Sequence, residues 1–294
     1  MTFYTAMSEW TDIIDAVSAH VTLLKELGEK SIALRPDTLA GFDEPTVTDA
    51  NDAAAASTPA DSTKQATAQS ASPAPAPVIG GKVEPKVDPN ATREQNLASL
   101  AQQIDACACC VLRSNRTKSV PGQGNPNSPD VMFIGEAPGA DEDQQGLAFV
   151  GRAGQFLTKM IEAMGYWRED VFIANICKCR PPGNRTPMPN EMMTCFPFLR
   201  EQIKIIQPKT IVLLGNVAAK ALLDTQTGIT RLQGQWTSYE GIPVMPTYHP
   251  SYVIRFGEGT DDSYQVKRKV WHALLAVLER LGKKPPARKK KEGN

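Results

Sequence analysis

Histidine is scarce in this chain: its 294 residues include only His20, His249 and His272. The chain also lacks an apolar run long enough to cross a membrane, and its first residues lack the basic start and apolar stretch of a secretory signal. These absences argue against a membrane-spanning or secreted protein, so we expect a cytoplasmic location. The scarcity of histidine leaves few candidates for any role that needs an imidazole ring.

Large apolar side chains are almost missing from residues 46–80, where Ala, Ser, Thr, Pro, Asp and Gln dominate. Such a stretch cannot bury enough surface to offset the entropy lost on folding. We therefore predict a disordered Ala/Pro/Ser-rich linker over residues 42–92. Ahead of it, helical spacing of apolar residues over 8–28 predicts an amphipathic helix within an N-terminal segment, residues 1–41. This helix either self-associates, packs on the main domain or docks a protein partner.

The net charge of zero hides an uneven distribution. Residues 1–92 contain 6 Lys+Arg and 13 Asp+Glu, a net charge of −7, whereas residues 93–294 contain 26 and 19, a net charge of +7. A basic body suits a polyanionic partner such as nucleic acid. We expect residues 93–283 to form the folded domain of a monomer. Residues 284–294 are predicted to be a basic disordered tail that contacts nucleic acid or aids solubility.

Four of the six cysteines have spacing typical of metal ligands. In a reducing cytoplasm they are not expected to form disulfides, which favours metal ligation for the clustered ones. The four are one Cys-x2-Cys pair and two distant cysteines: Cys107, Cys110, Cys179 and Cys195. Such a set can hold either an iron–sulfur cluster or a zinc ion, and the spacing does not distinguish between these two. Cys109 and Cys177 are left over, and Cys177 is expected to be a small buried apolar residue.

From residue 93 onward, short β-branched runs alternate with helical stretches. The predicted strands are Val131–Ile134, Val171–Ala174, Ile211–Leu214 and Ile242–Pro246. The predicted helices lie near 153–165, 190–206, 216–223 and 264–281. This alternation is typical of an α/β protein whose parallel sheet is covered on both faces. Ligands bind beyond the carboxyl ends of such strands, so the loops that follow them should converge there, at Gly135, Asn175, Gly215 and His249.

Several motifs carry a resemblance to a known family. They are Gly135-Glu136-Ala137-Pro138-Gly139, the segment 146–154 around Phe149, Asn175 with the segment 178–185, and Thr247-Tyr248-His249-Pro250-Ser251. Through them, residues 107–283 resemble the family 4, iron–sulfur, uracil-DNA glycosylases. The resemblance implies a three-layer α/β/α fold around a short, mostly parallel sheet, and a structural [4Fe-4S] cluster on the four cysteines. It also implies base excision repair: release of uracil from single- or double-stranded DNA, leaving an abasic site, by an enzyme that associates with the nucleoid when it is bound to DNA.

The chemistry of three residues suits this activity. Excision breaks a glycosidic bond through a cationic sugar and a uracil anion, so the enzyme must flip the base, recognise it and stabilise the anion. Phe149 offers a face for stacking, and the Asn175 amide can donate to uracil O4 while accepting from N3–H, a pattern that cytosine mismatches. His249, held between Tyr248 and a proline, can donate to uracil O2 as charge develops there.

Further candidates lie in the first motif. The resemblance favours Glu142 for positioning water or stabilising the cationic sugar. Glu136 is expected to hydrogen-bond the uracil edge or the loop backbone, and Ala137 and Gly139 complete the uracil-binding loop. Ala137 stands where family 1 enzymes carry a catalytic Asp, so a strong general base is not expected.

DNA must also be gripped. Ser251, Gly124 and the loop amides are candidates for phosphates beside the flipped nucleotide, and Arg255 is a candidate for filling the space that the base vacates. Further phosphate candidates are Lys178, Arg180 and Arg185, although an isolated basic residue is equally often only a solvated charge.

Three alternatives remain open at the level of sequence. A neighbouring branch of the superfamily forms a covalent histidine–sugar adduct, but it carries Gln at the position of Ala137 and an inserted loop with a second histidine, and residues 180–190 contain none. A non-catalytic iron–sulfur module for DNA assemblies is the second. A zinc-bound nucleic-acid-binding domain is the third, and iron content separates it from the others.

Overall fold

The computed structural model describes residues 81–256 and 261–286. The N-terminal helix, the linker up to residue 80 and the tail beyond residue 286 lie outside the described residues. Within those two ranges, no helix combines the length and the apolar character needed to span a bilayer.

The centre of the fold is a six-stranded sheet in the order β1-β3-β2-β4-β6-β5. Its strands are β1 (Gln123–Gly124), β2 (Val131–Gly135), β3 (Phe172–Asn175), β4 (Thr210–Leu214), β5 (Thr237–Tyr239) and β6 (Ile242–Thr247). The four inner strands β3, β2, β4 and β6 are parallel, and the edge strands β1 and β5 pair antiparallel. The inner strands therefore end at a common edge, the carboxyl edge, where the candidate loops begin.

Helices cover both faces of the sheet. They are α1 (Arg93–Ala106), α2 (Ala140–Gln145), α3 (Arg152–Ala163), α4 (Pro189–Ile206), α5 (Asn216–Leu223), α6 (Ile229–Leu232), α7 (Pro250–Val253) and α8 (Asp261–Arg280). On one face α1, α4 and α5 pack against alternate strand residues such as Ile134 and Leu213. On the other, α3 and α8 pack against the intervening residues such as Phe133 and Val212. Because successive strand residues point to opposite faces, both sides of each inner strand are buried, and the result is a three-layer α/β/α fold.

The main predicted elements are confirmed to within three residues at each end, because long apolar runs and strong helical periodicity were available to define them. The short edge strands and the helices α1, α2, α6 and α7 were not predicted. Edge strands of two or three residues and helices of four to six carry too little periodicity to stand out. Helix α1 has 14 residues, but it is mostly polar and buries only Leu100 and Ile104.

Residues 81–92 correct the predicted linker, which was extended to residue 92. Val83 is buried in the core that α1 shares. The Lys86 backbone N–H donates to Gln103 Oε1 at 2.8 Å, and Gln103 Nε2 donates back to the Lys86 carbonyl at 2.7 Å. Thr92 caps α1 in a reciprocal pair with Gln95. This stretch therefore belongs to the packed domain, because its polar backbone and one apolar side chain find partners on α1.

Removing residues 81–92 is therefore expected to cost stability. A chain beginning at residue 93 should lose about 2–4 kcal/mol in the free energy of unfolding relative to one beginning at residue 81, from the cap and the burial of Val83. Urea denaturation of the two chains measures this difference. Thr92→Ala in the longer chain isolates the cap and should cost about 1 kcal/mol. Equal stabilities of the two chains would show that residues 81–92 contribute nothing.

Candidate active site and cysteine cluster

A pocket of about 600 Å³ opens at the carboxyl edge of the sheet. This volume lies in the range of roughly 300–1,000 Å³ that is common for ligand sites. The loops that follow β2, β3, β4 and β6 all contribute to its wall, as predicted, with Glu136, Asn175, Gly215 and His249 among the lining residues. Phe149 and Glu142 line it from the segment between β2 and α3.

Two glycines make room for the side chains of this pocket. A methyl group on Gly135 would lie 2.5 Å from both Asn175 Oδ1 and Phe149 Cζ, so these two groups meet directly above the glycine. Gly215 has φ +91°, and a methyl group there would lie 2.9 Å from His249 Cβ. Larger residues at either position would push the wall of the pocket apart.

Asn175 is the last residue of β3, and the acceptor of its side chain faces the pocket. The residue is 2% exposed, and among the described residues its Oδ1 finds no hydrogen-bond partner. A buried carbonyl oxygen without a partner is costly, so this acceptor is available to a donor on a bound ligand or a water molecule. An amide offers a donor and an acceptor side by side, which suits the edge of a pyrimidine ring.

His249 is fixed in one tautomer by the loop that carries it. The backbone N–H of Ser251 donates to Nδ1 at 3.1 Å, and the Ser251 hydroxyl lies 2.7 Å from the same atom. Since Nδ1 accepts a hydrogen bond, the neutral ring carries its proton on Nε2. Burial, with the nearby Arg255 charge, lowers the pKa of His249 to about 4, although the ring is partly open to the pocket. At neutral pH the ring is therefore an uncharged donor through Nε2.

Phe149 is held in a conformation that few bulky residues adopt. Its φ is +53°, and only 6% of the residue is exposed. The neighbouring Gly154 allows the Phe149 carbonyl to approach so closely that a methyl group would collide with it. The Phe149 ring centroid lies 5.7 Å from that of His249, with 36° between the planes. Strained backbone of this kind clusters at functional sites, where surrounding contacts stabilise it.

Glu142 is buried and binds the loop around Phe149. Its Oε1 accepts from the N–H groups of Val150 and Gly151, each at 2.9 Å, and its Oε2 accepts from the N–H of Gly139 at 3.0 Å. A carboxylate has about four acceptor positions, so three are occupied and one, on Oε2, remains. Glu142 therefore holds two loops of the pocket together and retains one acceptor.

Glu136 adds a second carboxyl group to the wall. It is half-buried, and burial raises its pKa above the ordinary value, against a hydrogen bond from Thr186 that lowers it. Its carbonyl accepts from the backbone N–H of Cys177 at 3.0 Å, which continues the pairing of β2 with β3 beyond the strand ends. The backbone of Glu136 thus has a structural role, while its side chain faces the pocket.

Lys178 lies behind the pocket. The residue is 1% exposed, and its Nζ donates to the Asn175 carbonyl at 2.8 Å and to Gln202 Oε1 at 2.6 Å. Gln202 Nε2 in turn donates to the Pro121 carbonyl at 2.7 Å. Burial lowers the pKa of Lys178 to about 8. These contacts brace the end of β3 from behind.

The four candidate ligand cysteines lie in one part of the core that also contains Cys177 and Cys109. Burial raises the pKa of Cys107 to about 11 and that of Cys179 to about 12, and the charge of Cys195 adds to both effects. A hydrogen bond from Cys177 is the main cause that lowers the pKa of Cys195 to about 7. The thiols therefore act on one another through space, although long segments of sequence separate them.

The donor groups around these thiols suit a cluster of iron and sulfur. Cys195 Sγ accepts from the Lys178 backbone N–H at 3.2 Å, and Cys179 Sγ accepts from Arg116 Nη1 at 3.0 Å. Four cysteines with N–H donors to sulfur are the usual surroundings of iron–sulfur clusters. In the ranges that the structure describes, no three Cys, His, Asp or Glu side chains stand close enough to hold a single metal ion.

Comparison with known proteins identifies the family. The Uracil DNA glycosylase superfamily matches residues 121–275. A type-4 uracil-DNA glycosylase of Thermotoga maritima is 44% identical over 168 residues, which are 56% of this chain and 86% of that protein. Those of Sulfurisphaera tokodaii and Archaeoglobus fulgidus are 44% and 41% identical, over 54% of this chain and 76% and 84% of theirs. The chain belongs to the type-4 uracil-DNA glycosylase family.

One of the predicted DNA-contact residues needs correction. Lys178 cannot reach a phosphate, because its ammonium group is buried and hydrogen-bonded inside the domain. Gly124 is exposed and pairs with Phe172 at the start of β3, and its lack of a side chain allows a close approach to Val171. Gly124 stays a predicted DNA contact.

The other predicted DNA-contact residues lie at or near the mouth of the pocket. Ser251 and Arg255 line it, and Arg255 is exposed. Arg185 also lines it, but its guanidinium is bound to both oxygens of buried Glu191, at 2.8 and 2.7 Å. Arg180 lies beside the pocket, with Nε bonded to Asn184 Oδ1.

Sequence reasoning missed two residues that position groups of the site, Lys178 and Arg116. Nothing local indicated that Lys178 would brace Asn175, although a lysine inside an apolar, cysteine-containing segment hints at burial with a partner. Arg116 was not singled out either, because its sulfur partner is 63 positions away. Such contacts depend on the packing of distant segments.

Gly135→Ala is expected to damage the pocket while leaving the fold intact. The added methyl group would displace Asn175 and Phe149 and should lower the rate of uracil release by about tenfold or more, since small displacements at a reacting centre are costly. Single-turnover kinetics on uracil-containing DNA measure this. Gly228→Ala is the matched control, because its methyl group would have no atom nearer than 4.0 Å. Equal rates for both variants would contradict the close approach above Gly135.

Proposed function

We propose that this protein hydrolyses the N-glycosidic bond of deoxyuridine in DNA, releasing uracil and leaving an abasic site for base excision repair. Membership of the type-4 family supports the activity. The observation that carries the mechanism is that two oriented groups line the same pocket: an Asn175 acceptor without a partner and a His249 ring whose proton lies on Nε2. The Asn175 acceptor suits the hydrogen-bonding edge of a flipped uracil, and the His249 donor suits the negative charge that uracil carries as it leaves.

Recognition of uracil falls to Asn175 and Phe149. The buried Oδ1 of Asn175 accepts from uracil N3–H, and its amide N–H donates to O4. Cytosine presents the reverse pattern and would leave the buried carbonyl unpaired, which is a strong basis for rejection. Phe149 provides a stacking face, and Glu136, Ala137 and Gly139 form the loop along the base.

His249 stabilises the departing uracil. As the glycosidic bond breaks, negative charge gathers on O2, and the Nε2–H donor is already aimed into the pocket. Since the ring is neutral and fixed by Ser251, no proton needs to be rearranged when the charge appears. A donor of this kind is typically worth about 2.7–4 kcal/mol in the transition state.

We assign Glu142 to positioning the attacking water or stabilising the cationic sugar. Its buried negative charge is stabilised by three backbone N–H groups and faces the pocket. The remaining acceptor position on Oε2 can orient a water molecule towards C1′. Because the transition state is largely dissociative, orientation and charge suffice without a strong general base.

The DNA strand is held at the mouth of the pocket. Ser251 and its loop amides suit a phosphate beside the flipped nucleotide, and exposed Arg255 suits the space left in the helix. Arg180 adds positive charge beside the pocket, whereas the charge of Arg185 is compensated by Glu191. Monomeric action, a protein partner for residues 1–41 and a cytoplasmic location remain predictions.

A [4Fe-4S] cluster is proposed on Cys107, Cys110, Cys179 and Cys195. When bound, it would supply a cross-link between segments that are distant in sequence, without a part in the bond-breaking step. Lys178 connects this region with the pocket, since its N–H contacts Cys195 and its side chain contacts the Asn175 carbonyl.

The function is tested by uracil release from an oligonucleotide with one deoxyuridine, followed by alkaline strand cleavage. We expect multiple turnovers, with no cleavage of matched oligonucleotides that carry cytosine or thymine. A denaturing gel reports any protein–DNA adduct. A stoichiometric adduct would instead place the protein in the cross-linking branch, and no reaction from a folded, iron-containing protein would favour a DNA-binding module.

His249→Ala is expected to lower the single-turnover rate by ~100-fold or more, because the donor to O2 is removed. Ser251→Ala, which keeps the backbone N–H to Nδ1, is the control and should have a much smaller effect. With a pKa of about 4, His249 stays neutral from about pH 5 upward, so the wild-type rate should show no inflection near the ordinary histidine value. A His249→Ala rate within a few-fold of wild type would remove the ring from the mechanism.

Iron content tests the cluster independently of activity. Protein isolated without oxygen is expected to be brown and to contain about four iron atoms per chain. Cys195→Ala should lose the iron and the visible absorbance, whereas Cys109→Ala, at a cysteine outside the quartet, should retain both. Zinc in place of iron would reject the assignment.

A further inference from the structure

A second cleft of about 220 Å³ lies beside the pocket, and we call it the basic cleft. It is lined by Gln233, Gly234, Arg268, Lys269, His272 and Ala273. Helix α6 separates the two cavities: Ile229 and Thr230 line the pocket, and Gln233 and Gly234 line the cleft. A helix of four residues is about 6 Å long, so the two cavities are neighbours on the surface.

Hydrogen bonds fix the basic cleft at the same edge of the sheet as the pocket. The Gly234 N–H donates to the Pro246 carbonyl at 3.0 Å, near the end of β6 and three residues before His249. Gln233 Nε2 donates to the Lys269 carbonyl at 2.8 Å, which ties the corner after α6 to α8. The cleft is therefore held in a constant position relative to the catalytic loop.

The charges of the basic cleft are uncompensated. Arg268 and Lys269 are exposed on α8, and Arg231 is exposed on the neighbouring α6. Within 81–256 and 261–286, none of these three side chains forms an ion pair, and no carboxylate lines the cleft. By contrast, Lys209 and Lys283 are both paired with Asp130 at the opposite edge of the sheet. Unpaired cations in a concave site attract phosphate.

An exposed aromatic residue continues the same helix surface. Tyr264 is 64% exposed and lies four residues before Arg268, so the two share one side of α8. Aromatic faces beside a positive groove are the usual means of binding a nucleic-acid strand without regard to sequence. Neither Tyr264 nor the basic cleft has a role in the uracil pocket.

We propose that the basic cleft binds a backbone phosphate of the DNA strand that flanks the flipped nucleotide, through Arg268 and Lys269, with Tyr264 as a stacking face for a nearby base. The inference rests on the proposed function, since it extends the path of the same strand over α6. It adds affinity for longer DNA and leaves the bond-breaking step unchanged.

The test compares full-length wild type with the Arg268→Gln/Lys269→Gln variant on a single strand of about 15 nucleotides that contains a non-cleavable deoxyuridine analogue. At about 0.15 M salt the variant should bind about tenfold more weakly, and its plot of log K against log salt should be shallower by about 0.7 for each phosphate that is no longer neutralised. Its single-turnover rate at saturating cleavable DNA should stay within twofold of wild type. On a deoxyuridine dinucleotide, kcat/KM should be equal for the two proteins.

Lys204→Gln/Lys209→Gln is the matched control, because it removes the same charge from exposed residues at the amino edge of the sheet. It should bind the long strand as wild type does. An unchanged salt slope in the Arg268/Lys269 variant would overturn the proposal. So would an equal loss of affinity for the long strand in the control variant. So would a defect of the same size on the dinucleotide. Binding to the non-cleavable strand tests the basic cleft even if the wild type fails to release uracil. Failure of the basic-cleft proposal can therefore be distinguished from failure of the proposed glycosylase function.

Discussion

The pairing of β2 with β3 continues beyond the ends of the strands, and both functional regions depend on it. The N–H groups of Ile176 and Cys177 donate to the carbonyls of Gly135 and Glu136, so the segment after β3 is held between the first motif and the core. Asn175, at the end of β3, lines the pocket, while Cys177 and Cys179, which follow it, lie with the other thiols. A single run of backbone hydrogen bonds thus sets the positions of the base pocket and of the proposed cluster.

Preorganisation of the pocket comes from buried polar groups that are already paired. Glu142 uses its carboxylate to bind three backbone N–H groups, and the Ser251 N–H fixes the His249 ring. Asn175 Oδ1, by contrast, is buried without a partner among the described residues, as is Thr247 Oγ1 at the end of β6. Of these two residues Asn175 lines the pocket, where its acceptor is available to a ligand.

The residues proposed for bond cleavage and those proposed for DNA binding lie at the same edge of the sheet. In the proposed function, base recognition takes place in the pocket, where burial strengthens each hydrogen bond. The proposed phosphate contacts at Arg255 and in the basic cleft are exposed, where attraction depends on salt and carries no sequence information. A repair enzyme that must find one base in any sequence context needs this division of labour.

Local signals in the sequence determined the layout of this protein. The apolar runs at Val131–Ile134 and Ile211–Leu214, the helical periodicities and the motifs at Gly135 and His249 were sufficient for the sheet, the convergent loops and the family, because each signal is local. Tertiary structure alone decided that Lys178 is a buried brace rather than a phosphate contact and that residues 81–92 pack on α1. The physical reason is common to both: each depends on a partner supplied by a distant segment, and the charge of a side chain or the polarity of a segment does not reveal whether such a partner is present.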